Sequence, residues 1–196
     1  MIDAPRQAVL NDLARPPGTV HQRSQGDPGQ PVAVVWEGGP GFEADLATVR
    51  FVKERASEHR RLYYVTFDGA LVLDEQRMPT HFAYVYPVEK HLQGWRVSGG
   101  SGGGGDELSV REPWVNLSGG GWPDHFYAGG SVLDAGIDIA RVRLTCGNNV
   151  VLEDDTAGGV VLFITEQRVE LPAAIALYDP AGARVATHEA FGRAAV

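Results

Sequence analysis

The residue types best suited to chemistry lie in residues 113–130, where large aromatic side chains alternate with glycines. Asp124 and His125 sit among them. Aromatic rings beside polar groups can stack on sugar rings, and concave apolar pockets with a few polar groups are the usual ligand sites. Glycine also lets a ligand approach the backbone closely. One hypothesis is therefore a carbohydrate or small-ligand site formed by five residues: Trp114, Trp122, Asp124, His125 and Tyr127.

A structural interpretation of the same stretch is the one we favour. Tryptophan and tyrosine bury large apolar areas, and such side chains are more often found in a core than against a ligand. Under this interpretation the rings close the end of a β-sandwich core and contact no ligand.

His125 beside Asp124 also suggests a metal site or a general base. A metal site requires three or four converging ligands. The other histidines show none of the short spacings of metal-binding motifs: His21, His59, His81, His91 and His188. The sequence therefore predicts no metal and no catalytic residue, and an enzyme centred on Asp124 and His125 is kept as a third hypothesis.

The segment with the strongest compositional bias is residues 99–105, which are six glycines and one serine. Gly100, Gly102 and Gly105 match the G-x-G-x-x-G pattern of dinucleotide-binding loops, which must open a helix. Here Asp106 and Glu107 follow, and two carboxylates would repel a phosphate. We predict a flexible loop and no cofactor, because packed strands do not tolerate so many glycines. Whether this loop gates a site or only connects two lobes stays open.

Two charged segments have simple explanations. The basic residues within 50–61 alternate with Glu54 and Glu58, which indicates local ion pairing more than a site for phosphate or an acidic partner. The acidic run at residues 153–155 lacks the alternating spacing of a calcium loop. We therefore predict a solvated turn there.

Composition and charge exclude several classes of protein. The net charge of −8 disfavours binding to nucleic acid or to anionic membranes. The single cysteine, Cys146, excludes an internal disulfide, and it lies on the inward face of a predicted strand, where it should be buried and unreactive. No apolar run approaches a membrane span, and residues 1–17 lack the apolar core of a signal peptide. We expect a cytoplasmic protein.

The last third of the chain has the clearest strand pattern. Val142, Leu144 and Cys146 alternate with polar residues, as in a half-buried strand. Residues 160–165 are apolar nearly throughout, which predicts a central strand covered on both faces. Turn signals recur about every 8–12 residues, which is typical of an antiparallel sandwich or barrel.

The N-terminal half predicts a short helix or arm followed by β-hairpins. The helix covers residues 4–14 and stops at Pro16 and Pro17, and an extended arm or linker follows over 15–31. A hairpin joining 47–55 to 61–67 is favoured over a helix in that region. The further strands are predicted at 31–37, 81–89 and 95–98.

These patterns give an all-β, mainly antiparallel chain with three parts. We expect an N-terminal arm over residues 1–30, a β-rich lobe over 31–108 and a sandwich lobe over 109–196.

Three segments carry a resemblance: Ile-Ala-Arg-Val-Arg-Leu-Thr (139–145), Val-Val-Leu-Phe-Ile (160–164) and Ala-Leu-Tyr-Asp-Pro-Ala-Gly (176–182). Through them, residues 138–191 resemble the immunoglobulin-like β-sandwich repeats of uncharacterised bacterial proteins, notably from high-GC actinobacteria. This region is about a quarter of the chain. The resemblance implies an immunoglobulin-like β-sandwich in the C-terminal half and transfers no catalytic residue.

Taken together, the sequence favours a non-enzymatic β-sandwich module that binds another protein or a small ligand. The alternatives are a carbohydrate- or small-ligand-binding protein that uses residues 113–130, and the enzyme centred on Asp124 and His125. Edge strands of sandwiches pair readily with a second chain, so the pattern leaves a homodimer open.

Overall fold

The computed structural model describes residues 2–23, 33–37, 40–73, 76–105, 109–122 and 125–192. Over these residues the chain is mostly antiparallel β-structure with one short N-terminal α-helix. The predicted all-β class is therefore confirmed. Of the predicted site residues, Asp124 lies outside the described residues.

The helix and strands follow one another along the chain in this order: α1 (Ala4–Leu13), β1 (Thr19–Arg23), β2 (Ala33–Glu37), β3 (Phe42–Ala44), β4 (Arg50–Ala56), β5 (Arg60–Leu73), β6 (Gln76–His91), β7 (Gly94–Val97), β8 (Ser101–Gly104), β9 (Trp114–Trp122), β10 (His125–Leu133), β11 (Arg141–Cys146), β12 (Val151–Asp155), β13 (Val160–Thr165), β14 (Ala173–Tyr178) and β15 (Arg184–Phe191). Two short 3-10 helices lie at Leu46–Thr48 and Ala157–Gly159.

Helix α1 forms because both its ends are well defined. The Asp3 side chain caps it by accepting a hydrogen bond from the backbone N–H of Arg6 at 3.0 Å, which satisfies one of the free donors of the first turn. Its buried residues, Val9 and Leu13, pack on the sheet that follows. Across the described ranges, no helix has both the length and the apolar character to span a bilayer.

The N-terminal sheet has six strands, ordered β3-β5-β6-β7, with β4 also on β5 and β8 also on β6. The predicted hairpin between residues 47–55 and 61–67 is confirmed as the antiparallel pair β4–β5. The strand predicted at 95–98 is confirmed as β7, which pairs with the end of β6. One face of this sheet is rich in aromatic rings, including Phe67 and Phe82, and α1 covers it.

The C-terminal strands form two further sheets, a three-stranded one ordered β13-β10-β9 and a four-stranded one ordered β12-β11-β14-β15. Side chains from both sheets share one buried core, for example Phe163 and Val115 with Val142 and Ile175. Cys146 is buried in this core, as predicted. The immunoglobulin-like assignment of these two sheets stays a prediction.

The three-stranded sheet is covered on both faces. Its second face packs against the six-stranded sheet through a layer that contains Leu62, Val85, Tyr127 and Leu162. Apart from the two-stranded sheet of β1 and β2, the described chain is built in four layers: α1, the six-stranded sheet, the three-stranded sheet and the four-stranded sheet. The predicted central strand at residues 160–165 is confirmed as β13.

The predicted flexible loop over residues 99–105 is wrong for residues 101–104, which form strand β8 on β6. Glycine suits this strand because the backbone of β6 lies too close to leave room for a side chain at Gly102. A Cβ atom on Gly102 would lie 2.2 Å from the backbone oxygen of Ala83. Only glycine fits at such a close approach.

Adjacent glycines of β8 should differ sharply in their tolerance of alanine. A methyl group on Gly102 meets backbone atoms, whereas one on Gly103 meets nothing within 4 Å. We expect Gly102→Ala to lower the free energy of unfolding by about 1–3 kcal/mol, and Gly103→Ala to change it by less than about 0.5 kcal/mol. Urea unfolding of both variants checks this. Equal effects would indicate that the segment is a loop after all.

Candidate functional site

Among the described site residues, Trp114 lies far from His125 and Tyr127 along the β9–β10 hairpin. Trp114 and Trp122 stand at opposite ends of the nine-residue strand β9, and the pairing with β10 places Trp114 opposite Leu133 and Trp122 opposite His125. Eight residues at about 3.3 Å each separate the two ends by roughly 26 Å. The side chain of Trp122 lies outside the described residues, as does Asp124.

Trp114 is partly exposed, with 43% of its surface accessible. One face of its indole ring is occupied, because it stacks on the imidazole of His188 with ring centroids 3.8 Å apart and an angle of 16°. His188 Nε2 is buried and has no hydrogen-bond partner among the described residues. Burial accordingly lowers the pKa of His188 below its usual value, since the charged form would be poorly solvated.

The lowered pKa of His188 predicts a loss of stability in mild acid. As the pH falls through about 6.5, the unfolded chain takes up the proton before the folded chain does, so folding becomes less favourable. Replacing His188 with phenylalanine should make stability fall less between pH 7 and pH 5. Urea unfolding at several pH values measures this, with exposed His59→Phe as the control. A slope unchanged by His188→Phe would contradict the assignment.

His125 lies beside a chain of ion pairs that joins the sheets. It is 7% exposed, and its Nε2 lies 3.5 Å from Oε1 of Glu89. That oxygen accepts a hydrogen bond from Nε of Arg60 at 2.9 Å. Arg60 also pairs with Glu166, which accepts a hydrogen bond from Ser57 Oγ at 2.6 Å. Glu89 is thus the carboxylate beside His125, and the enzyme centred on Asp124 and His125 stays a hypothesis.

Tyr127 and its neighbour Phe126 are buried, each with 5% of its surface exposed. Tyr127 packs in the layer between the six- and three-stranded sheets. Burial raises the pKa of its phenol. Both rings are core side chains, as the structural interpretation of residues 113–130 expects.

A feature that sequence reasoning missed is a cleft of about 1100 Å³ between the six-stranded and three-stranded sheets. We call it the inter-sheet cleft. The residues that line it include Thr66, Ala83, Gly103, Asn116, Ser118 and Ser131.

The inter-sheet cleft exists because side-chain size changes along the strands. At one end the two sheets are held in contact by Leu62 and Val85 against Leu162. Further along the six-stranded sheet, the lining includes the small side chains of Thr66 and Ala83, and Gly103 has no side chain. The gap is therefore filled at one end and open at the other.

The described lining of the inter-sheet cleft mixes hydroxyl, amide and backbone groups with the apolar side chains of Val52, Val132, Leu133 and Val160. None of its described lining residues is Asp, Glu, Lys or Arg. His81 lies at the cleft, and its Nδ1 is 2.7 Å from Oδ1 of Asp68. Burial raises the pKa of Tyr64, which also lines the cleft. Such walls can recognise a ligand through neutral hydrogen bonds.

The two walls are held together beside the inter-sheet cleft by a buried ion cluster. Asp154 Oδ2 lies 2.9 Å from Nζ of Lys53, and Asp154 Oδ1 lies 3.2 Å from Arg55. The backbone N–H of Leu162 also donates to Asp154, at 2.7 Å. Only 10% of the Asp154 side chain and 12% of the Lys53 side chain are exposed.

This cluster corrects two predictions. Residues 153–155 belong to strand β12, so the predicted solvated turn is wrong. The basic residues within 50–61 pair only partly with nearby acids: Arg61 lies 3.7 Å from Glu54, whereas Lys53 and Arg55 pair with β12, about a hundred residues away. A local sequence pattern cannot reveal a partner at that distance.

Comparison with known proteins adds no further constraint. The chain matches no protein-family model, no curated protein and no solved structure. Within the described ranges, no three His, Cys, Asp or Glu side chains converge where they could hold a metal ion. The inter-sheet cleft is therefore interpreted from its own geometry.

Proposed function

We propose that this chain is a non-enzymatic binding module that takes a neutral, hydrogen-bonding ligand into the inter-sheet cleft. The observation that carries the proposal is the cleft itself, an open space of about 1100 Å³ whose described lining combines apolar side chains with hydroxyl, amide and backbone groups. Cavities that hold small ligands typically measure about 300–1,000 Å³, so the space is large enough for a ligand of several rings or residues.

The surroundings of the inter-sheet cleft support binding by a preformed site. One wall is the six-stranded sheet, whose other face is covered by α1. The second wall is the three-stranded sheet, whose other face is covered by the four-stranded sheet. The Asp154 cluster fixes their separation. A rigid site loses little conformational entropy when a ligand enters.

The two alternative functions have less support. Among the described side chains of residues 113–130, the one exposed aromatic ring is that of Trp114, and the imidazole of His188 covers one face of it. The enzyme centred on Asp124 and His125 depends on a histidine that is 7% exposed and faces Glu89.

Filling the inter-sheet cleft should abolish binding without unfolding the protein. Gly103 has nothing within 4 Å of an added Cβ atom, and its cross-strand partner, Ala83, faces the three-stranded sheet. A leucine at 103 would therefore project into the cleft. Neutral saccharides and peptides are screened by calorimetry for a ligand. We expect Gly103→Leu to lower the affinity for any ligand found at least about tenfold, which is about 1.4 kcal/mol of binding free energy.

The matched control is Thr187→Leu, which adds a similar apolar group at an exposed position of β15. It should bind as the wild-type protein does. A ligand that binds wild type, Gly103→Leu and Thr187→Leu equally would place the site elsewhere and overturn the proposal.

A further inference from the structure

We infer that the ligand of the inter-sheet cleft is an extended peptide, which adds to strand β8 as a further antiparallel or parallel strand. The inference rests on the proposed function and specifies the class of ligand. It depends on which backbone groups of β8 are already paired and which face the open border of the sheet.

The pairing of β8 with β6 fixes the direction of its backbone groups. The N–H of Gly105 donates to the carbonyl oxygen of His81 at 3.1 Å, and the register places these two residues opposite each other. In an antiparallel pair, hydrogen-bonded and non-hydrogen-bonded residue pairs alternate. Gly103 therefore bonds to β6, whereas the N–H and C=O groups of Gly102 and Gly104 point away from it.

The hydrogen bonds between β6 and β5 independently support this assignment of the backbone groups. The N–H of Lys90 donates to the carbonyl oxygen of His59, on the β5 side, at 3.0 Å. Even-numbered residues of β6 therefore bond to β5, and odd-numbered residues bond to β8. Ala83, the partner of Gly103, is odd-numbered, which agrees with the assignment.

The outward groups of Gly102 and Gly104 are at the border of the six-stranded sheet. Among the described strands, β8 pairs only with β6, and both glycines line the inter-sheet cleft. An unpaired strand border is a template for another strand. Peptide-binding domains use such borders, with main-chain hydrogen bonds supplying affinity.

The facing wall favours the same ligand. Ser118 Oγ of β9 donates to the carbonyl oxygen of Ser101 at 3.3 Å, so β9 comes within hydrogen-bond reach of β8 at one end. Asn116, two residues earlier on β9, lines the inter-sheet cleft. Its amide can both donate to and accept from a peptide backbone.

A sugar fits less well, because it would need an exposed ring on which to stack. The one aromatic side chain among the described lining residues other than His81 is Tyr64, which is 6% exposed. Strand β8 is four residues long, which corresponds to roughly 13 Å of extended chain. We expect a bound segment of about that length, with small or neutral side chains to match the described lining residues, none of which is Asp, Glu, Lys or Arg.

The test uses the full chain, a displayed library of random linear heptapeptides and a panel of neutral glycans. Peptides enriched on the wild type but not on Gly103→Leu are synthesised and added to ¹⁵N-labelled protein. We expect amide hydrogen exchange to slow at least about tenfold at Gly102 and Gly104, because these N–H groups gain acceptors. Gly103, already bonded to β6, should change much less.

Each outcome separates the inference from the proposed function. If a peptide binds but amide hydrogen exchange slows equally at Gly102, Gly103 and Gly104, strand addition is overturned. Glycan binding that Gly103→Leu abolishes, with no enriched peptide, would overturn the peptide ligand while the inter-sheet cleft remained the binding site. Binding of neither class to the cleft would overturn both.

Discussion

Replacing Asp154 with alanine should lower the free energy of unfolding by about 3–5 kcal/mol, as expected when one partner of a buried ion pair is removed. The variant leaves Lys53, whose side chain is 12% exposed, without the more buried of its two carboxylate partners. It also removes the acceptor of the Leu162 N–H, and a buried donor without a partner is itself costly. Urea unfolding measures the difference.

The neighbouring residue provides the matched control. Asp155 also contacts Lys53, at 2.7 Å, but 69% of its side chain is exposed. Exposed ion pairs contribute little, so Asp155→Ala should cost less than about 1 kcal/mol. If the two alanine variants were equally stable, Asp154 would not be the group that holds the sheets together.

Two consecutive residues of β13 should both be sensitive to alanine. Leu162 and Phe163 each have 0% exposure, and they point to opposite faces of the strand: Leu162 toward the six-stranded sheet and Phe163 toward the four-stranded sheet. We expect Leu162→Ala to cost about 2–5 kcal/mol and Phe163→Ala about 3–5 kcal/mol, because both leave cavities in a packed core.

This pair of variants tests the layered architecture. In a sheet with one solvated face, successive side chains alternate between core and water, and only one of the two substitutions would be costly. Val151→Ala, at a position 50% exposed on β12, serves as the control and should be nearly neutral. A neutral Leu162→Ala would mean that the six-stranded sheet does not cover β13.

Much of the fold follows from local patterns. The short N-terminal helix is predicted because Pro16 and Pro17 end it, and the β4–β5 hairpin because β-forming residues flank a polar turn. The unbroken apolar run of β13 correctly predicts burial on both faces. In each case the information lies within a few residues of the element.

The features that were missed depend on distant partners. Strand β8 is stabilised by its close approach to β6, and a glycine-rich stretch alone gives no sign of that neighbour. Asp154 is buried because Lys53 and Arg55 reach it from β4. The local sequence around Asp154, Lys53 or Arg55 does not distinguish these residues from charged residues exposed to solvent.

The inter-sheet cleft was missed for a related reason. Its walls are built from Thr66, Asn116, Ser118 and Ser131, together with glycine backbone. These residue types form no motif with a recognisable spacing. The prediction at residues 113–130 did include part of one wall, but it selected the aromatic residues of β9 and β10, whereas the polar residues between them face the cleft.

The decisive measurement is an amide chemical-shift map of the ¹⁵N-labelled chain, titrated with the tightest binder from the saccharide and peptide screens. If the inter-sheet cleft is the binding site, the largest shifts will lie at Gly103, Asn116 and Ser131, and the signal of Thr187 will stay in place. Shifts centred on Trp114 or His125, with the cleft residues unmoved, would contradict the proposed function.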